Sequence, residues 1–169
     1  MACALSLYRE RVEVYGITPE GTILGGLRDD YSFGTFGGGV ELGETVFQAA
    51  QREFQEEANY GISNLRLLPV EPLVQPWFDN PEERSFREHE YERRRSLYPG
   101  GTRTHYCAGD LGPRFDFKAE DTFVSFRDVR LRSLQSVIAL QYHAFLAATC
   151  PKHREHMKRR LQALKSLER

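Results

Sequence analysis

Between Val12 and Ile17 apolar residues alternate with polar ones, the period of a half-buried strand. The turn "PEG" at 19–21 separates it from a second strand, "TILGGLR", which runs into Asp29 and Asp30. The glycine loop "YSFGTFGGG" follows, and Thr45 to Ala58 changes to helical spacing. Phe47, Ala50, Phe54 and Ala58 fall within an arc of about 80° on that helix and form the face expected to bury. Strand-like stretches recur at 65–74, where prolines favour a sheet edge, at 102–111 and at 121–126. A long apolar-periodic helix is predicted from Ser133 to Thr149. Beyond Pro151 a basic amphipathic helix over 151–169 carries Met157, Leu161 and Leu164 on one stripe. Strands, a central helix, more strands and terminal helices suit a mixed sheet packed between helices, in one domain over 1–169.

One segment, 79–100, fits this pattern poorly. Asn80 and Pro81 suit a helix start, Glu82 and Glu83 its first turn, and Arg93, Arg94 and Arg95 its last. Its Phe86, Tyr91 and Leu97 do not share a face, so this charged insertion has little to bury. It is a solvent-exposed excursion, a lid that orders over a ligand, or a contact for a second copy of the chain in a homodimer.

Composition narrows the classes. The 169 residues are 40% apolar and 28% charged with a net charge of −1, which argues against bulk nucleic-acid binding. No apolar run reaches membrane-spanning length, and "MACALSLYRER" lacks the form of a signal peptide. The spacing of Cys3, Cys107 and Cys150 suggests neither a disulfide framework nor a metal knuckle, and reads as reduced thiols in a cytoplasmic protein.

The chemistry concentrates in "GGGVELGETVFQAAQREFQEEANYG", Gly37 to Gly61. Glu53, Glu56 and Glu57 fall within an arc of about 100° beside the apolar face, and like charges at these spacings repel. A solvated charged face is the plain alternative. A counter-charge explains the crowding better: Mg²⁺ takes hard oxygen ligands from carboxylates, substrate phosphates and water. Gly37, Gly38 and Gly39 allow close backbone approach just before a helix N-terminus, where anions are favoured. Metal and backbone donors would then converge on a phosphate.

This segment resembles the Nudix box, Gx5Ex7REUxEExGU, with U a bulky aliphatic. Gly38, Glu44, Arg52, Glu53, Glu56 and Glu57 fall at its polar positions and Phe54 at its first U, a match expected by chance about 10⁻⁵ times per chain. Asn59 stands where the last glycine belongs; asparagine also tolerates the left-handed conformation that ends a helix. The resemblance implies a Nudix-type α/β/α sandwich that hydrolyses a diphosphate in a nucleoside diphosphate derivative, with Mg²⁺ or Mn²⁺ as cofactor. It implies that Glu53, Glu56 and Glu57 hold metal, with Gly38 a further candidate through its carbonyl, and that Glu44 and Arg52 brace loop and helix. Glu53 is the first choice for general base. Arg28, at the end of the second strand, is a phosphate-binding candidate.

Weaker candidates are Arg93, Arg94 and Arg95 for phosphate, Trp77, Phe33 and Tyr31 for base stacking, and Glu120 and Asp121 as an extra carboxylate. His105, mid-strand, reads as a satisfied core or edge histidine. A binding or regulatory module without turnover, an isomerase and a decapping enzyme acting on capped RNA are the other functions such a box can serve. The expected partner is a small phosphorylated substrate.

Overall fold

In the computed structural model, which describes residues 7–27, 33–77, 92–115, 125–129, 135 and 151–168, the first alternating stretch becomes β1, Arg9–Ile17. It is followed by β2 (Ile23–Leu27), β3 (Phe33–Gly34), α1 (Val46–Ala58), β4 (Tyr60–Leu67) and β5 (Leu73–Gln75). A short helical segment at 92–97, α2, precedes β6 (Thr102–Arg114), β7 (Ser125–Val129) and α3 (Pro151–Lys165).

The strands form one mixed sheet in the order β3-β2-β1-β6-β4, with β5 also on β6 and β7 also on β2. β1 and β6 run parallel from Arg9↔Thr102 to Ile17↔Asp110, and the other pairings are antiparallel. Because successive side chains of a strand point to opposite faces, β1 feeds two cores. Val12 and Val14 join Cys107 of β6 and Ala49, Ala50, Phe54 and Ala58 of α1 on one face. Tyr15 joins Tyr106 and Ala108 of β6 and Met157, Ala163 and Leu164 of α3 on the other. The fold is therefore the expected α/β/α sandwich, and Met157 and Leu164 of the C-terminal stripe are buried as that pattern requires.

Three expectations change. Phe47 is 41% exposed, and Ala49 joins Ala50, Phe54 and Ala58 on the buried side of α1. The strand expected over 65–74 is two strands: β4 starts at Tyr60, directly after α1, and Leu68 to Pro72 break the run before β5. Both lie outside β6, so the edge expected from the prolines is right while the bounds are not. Of the strand expected over 121–126, residues 125–126 lie in β7, which runs on to Val129, and 121–124 lie outside the described residues. Of the insertion, 92–97 is helical, and the Trp77 indole donates to the Tyr98 carbonyl at 2.6 Å just beyond it. Residues 78–91, and all of the helix expected over 133–149 except Gln135, lie outside the described residues.

Candidate active site

The box helix is fixed at both ends by its own sequence. Thr45 is the N-cap: its hydroxyl accepts from the Gln48 amide, and the Gln48 side chain accepts from the Thr45 amide, a reciprocal capping box. At the other end Asn59 adopts φ 62°, ψ 31° and its amide closes on the Gln55 carbonyl. Asparagine thus serves where the box has glycine, since its short polar side chain tolerates the left-handed region. The chain turns there and enters β4 at once.

The glycine loop runs antiparallel along β1. The Val14 amide donates to the Phe36 carbonyl at 2.8 Å, Val12 to Gly38 at 2.9 Å, and Val40 to Glu10 at 3.0 Å. Phe36 also packs edge-on against Phe54 of α1, with ring centroids 4.9 Å apart. These contacts put the glycines under the acidic flank of the helix. The Gly37 amide donates to Glu57 Oε2 at 2.7 Å. Gly38 lies beneath the Glu53 carboxylate so closely that a Cβ there would overlap all three of its carboxyl atoms.

Arg52 is the hub of the flank. Its Nε and Nη2 hold Glu44 in a fork at 2.8 and 2.9 Å, and Nη2 also donates to the Gly39 carbonyl at 2.9 Å. Its Nη1 reaches Glu53 Oε1 at 2.9 Å and Glu56 Oε2 at 3.1 Å. Glu44 accepts in addition from the Glu41 amide at 2.9 Å. The Arg52 bonds, then that amide, hold the Glu44 carboxyl at about 2.

Glu53 and Glu56 thus meet at one cationic nitrogen, while Glu57 turns to the loop. Among the described residues no three His, Cys, Asp or Glu side chains are gathered to hold a metal ion as they stand. The carboxylates on the flank still suit a hard cation: Glu53 and Glu56 converge on the positive charge of Arg52, and the missing Cβ of Gly38 leaves room for the Glu53 carboxylate. The Gly38 carbonyl, expected as a further donor, accepts from Val12. An open cleft of about 440 Å³ lies alongside, lined by Gln48, Gln51, Arg52, Gln55 and Glu56, a size that suits a small ligand.

On the same sheet face, two residues along β1 from Val12, is a cluster that sequence patterning did not assemble. Glu10 is bonded by Arg103 of β6, and His105 Nε2 lies 2.7 Å from its Oε2. Burial raises the Glu10 pKa, but hydrogen bonds from Arg103 and His105 outweigh it and leave the carboxyl below its usual range. His105 is satisfied, as expected, and lies on the interior strand β6 and not at an edge; the signal that could have found its partner was the shared parity of Glu10 and Val12. Arg93, Arg94 and Arg95 lie on α2, and the Phe33 backbone lies in β3. Arg28, Tyr31, Glu120 and Asp121 lie outside the described residues.

A sheet between helices, with this capped acidic helix and its glycine loop, is the arrangement that the box resemblance implies. The family model described as "NUDIX domain" matches residues 9–141, and the chain belongs to that family, whose hydrolases act on acid anhydrides. No curated protein sequence matches it. Among solved structures, an ADP-ribose pyrophosphatase of Streptococcus suis is similar with a TM-score of 0.54 at 12% identity, covering 95% of this chain and 92% of its own. A NUDIX hydrolase of Nitrosomonas europaea is similar with a TM-score of 0.50 at 15% identity, covering 78% of each chain. At these identities the likeness is one of fold.

Proposed function

We propose that the chain is a divalent-metal-dependent diphosphatase that cleaves a nucleoside diphosphate derivative: a nucleotide, a nucleotide sugar or a dinucleotide. The observation that carries this reading is the convergence of Glu53 Oε1 and Glu56 Oε2 on one positive charge, beside a loop that leaves room for the Glu53 carboxylate. Glu53, Glu56 and Glu57 would hold Mg²⁺ or Mn²⁺. A bound ion of this kind neutralises the diphosphate and lowers the pKa of the attacking water. Water attacks phosphorus, the bridging P–O bond breaks, and each product leaves with a phosphate. Glu53 takes the proton from that water. Glu44 and Arg52 keep the loop against the helix through the fork and the Gly39 carbonyl. Arg28 and the backbone of Gly37, Gly38 and Gly39 approach the phosphates.

The test is a product-resolved panel of dNTPs, nucleotide sugars, ADP-ribose, dinucleoside polyphosphates and capped RNA, with Mg²⁺ or Mn²⁺. Glu56→Gln and Glu57→Gln should lose at least about 10²-fold in turnover at unchanged melting temperature. Glu53→Gln should stay slow even at high Mn²⁺, because added metal restores occupancy and not a proton acceptor. Near-normal turnover of Glu56→Gln or Glu57→Gln at saturating Mg²⁺ defeats the metal reading, and metal rescue of Glu53→Gln removes it from the base role.

A further inference from the structure

The C-terminal helix α3 lies beyond the residues matched by the family model, yet it reaches the loop that the box depends on. Glu13 of β1 is 5% exposed and faces α3. Arg160 Nε bonds both of its oxygens at 2.8 and 3.0 Å, His156 Nε2 lies 3.0 Å from Oε2, and the Tyr15 hydroxyl donates at 2.7 Å. Burial alone would raise the Glu13 pKa, but the Arg160 charge and the His156 contact outweigh it and hold the carboxyl well below its usual range. The same guanidinium donates from Nη2 to the Thr35 hydroxyl at 2.9 Å.

Thr35 is 8% exposed and immediately precedes Phe36. Phe36 is packed onto Phe54 of α1 from one face of the sheet, and Thr35 is bonded by α3 from the other. The next residue, Gly37, donates its amide to Glu57. Consecutive residues are therefore held from opposite faces just before the chain meets the acidic flank. A buried ion pair gains little stability over apolar residues of the same size. What an apolar residue at 160 could not supply is the directed bond to Thr35.

We propose that Arg160 is a positioning residue, which fixes the glycine loop against Glu57 through its bond to Thr35. The inference rests on the reading of that loop and Glu57 as part of the hydrolytic site, but its first readout does not need turnover. Thr35→Val removes the acceptor and leaves the Arg160–Glu13 pair. In the metal-free full chain, amide exchange at Gly37 should then rise about tenfold, with the β6 amides Tyr106 to Ala108 within about twofold of wild type. Turnover on the best substrate of the panel should fall about tenfold at unchanged KM. Thr35→Ser, which keeps the hydroxyl, should restore both, and Arg160→Met combined with Glu13→Gln, which leaves no buried charge unpaired, should reproduce both.

Unchanged exchange at Gly37 in Thr35→Val overturns the proposal. So does a parallel rise at Gly37 and in β6, which is general loosening. A turnover loss in that double variant that Thr35→Val does not share also overturns it, since the pair with Glu13 then accounts for the effect. If the wild-type chain cleaves nothing in the panel, the hydrolytic reading fails while the exchange measurement still decides the role of Arg160.

Discussion

Gly37 and Gly38 are neighbours, and an added methyl group should harm them in opposite ways. In Gly38→Ala the new Cβ lands on the end of the Glu53 side chain, with backbone torsions open to alanine. The carboxylate can swing aside, but it must move roughly 1 Å to regain ordinary contact, and displacement of a reacting group on that scale costs about 10²-fold in rate. Stability should change by less than about 1 kcal/mol, or about 2–4 °C for a chain of this size. In Gly37→Ala the residue has φ +148°, and the Cβ would meet the Val12 carbonyl oxygen of β1. Neither can give way cheaply: the backbone strain costs about 1–3 kcal/mol. With the overlap added the loss reaches about 3 kcal/mol or more, a fall of about 6–12 °C in Tm. Thermal melts paired with steady-state turnover at saturating Mg²⁺ separate the two. Wild-type turnover in Gly38→Ala, or a wild-type melt in Gly37→Ala, would refute the geometry from which both effects are drawn.

Asn59→Gly should melt within about 1 kcal/mol of wild type, while Asn59→Ala should lose about 1–2 kcal/mol in chemical denaturation, because alanine resists the left-handed cap; equal stabilities would exclude that cap as the reason for asparagine. Glu44 titrates at about 2 instead of 4.5 in the folded chain, so its contribution is complete above pH 4.5 and is lost as the pH falls toward 2. The gap in Tm between wild type and Glu44→Gln should therefore close across that window, and a constant gap would count against the Arg52 fork. Cys107 is fully buried with its thiol pushed by burial to about 12, so peptide mapping should find it unalkylated by iodoacetamide until the protein unfolds.

Where the controlling contacts are local, the sequence was readable. Thr45, Gln48 and Asn59 act within a turn or so of themselves, and the spacing from Gly38 to Glu57 is read along a loop and one helix. Helical phase alone puts Phe47 on the buried face, because it says which residues share a face but not which side of that face meets the sheet; the core takes Ala49 instead. β4 was shortened because its strand begins at Tyr60 without an intervening turn, and its register shifts near Asn64 break the alternation. Glu13 was out of reach for a different reason. A glutamate between Val12 and Val14 has the pattern of a solvent-facing position, and the residue that makes its burial tolerable is Arg160, 147 positions away. The hint is a basic helix whose apolar stripe is too narrow to account for its charges.

The parallel pairing of β1 with β6 has a consequence for how the chain is made. Glu10 and Arg103, opposite one another in that pairing, are 93 residues apart in sequence. During vectorial synthesis the first strand must wait for most of the remaining chain before its central neighbour exists, and such non-local pairings close slowly. Until then Val12, Val14 and Tyr15 lack their β6 partners on both faces. The hairpin with β2, the glycine loop and α1 can shelter Val12 and Val14 in the meantime, while Tyr15 waits for β6 and α3. Release of nascent chains ending before residue 102 should therefore give aggregation-prone fragments, those ending after β6 should still expose the Tyr15 face, and those that include α3 should be the first soluble ones.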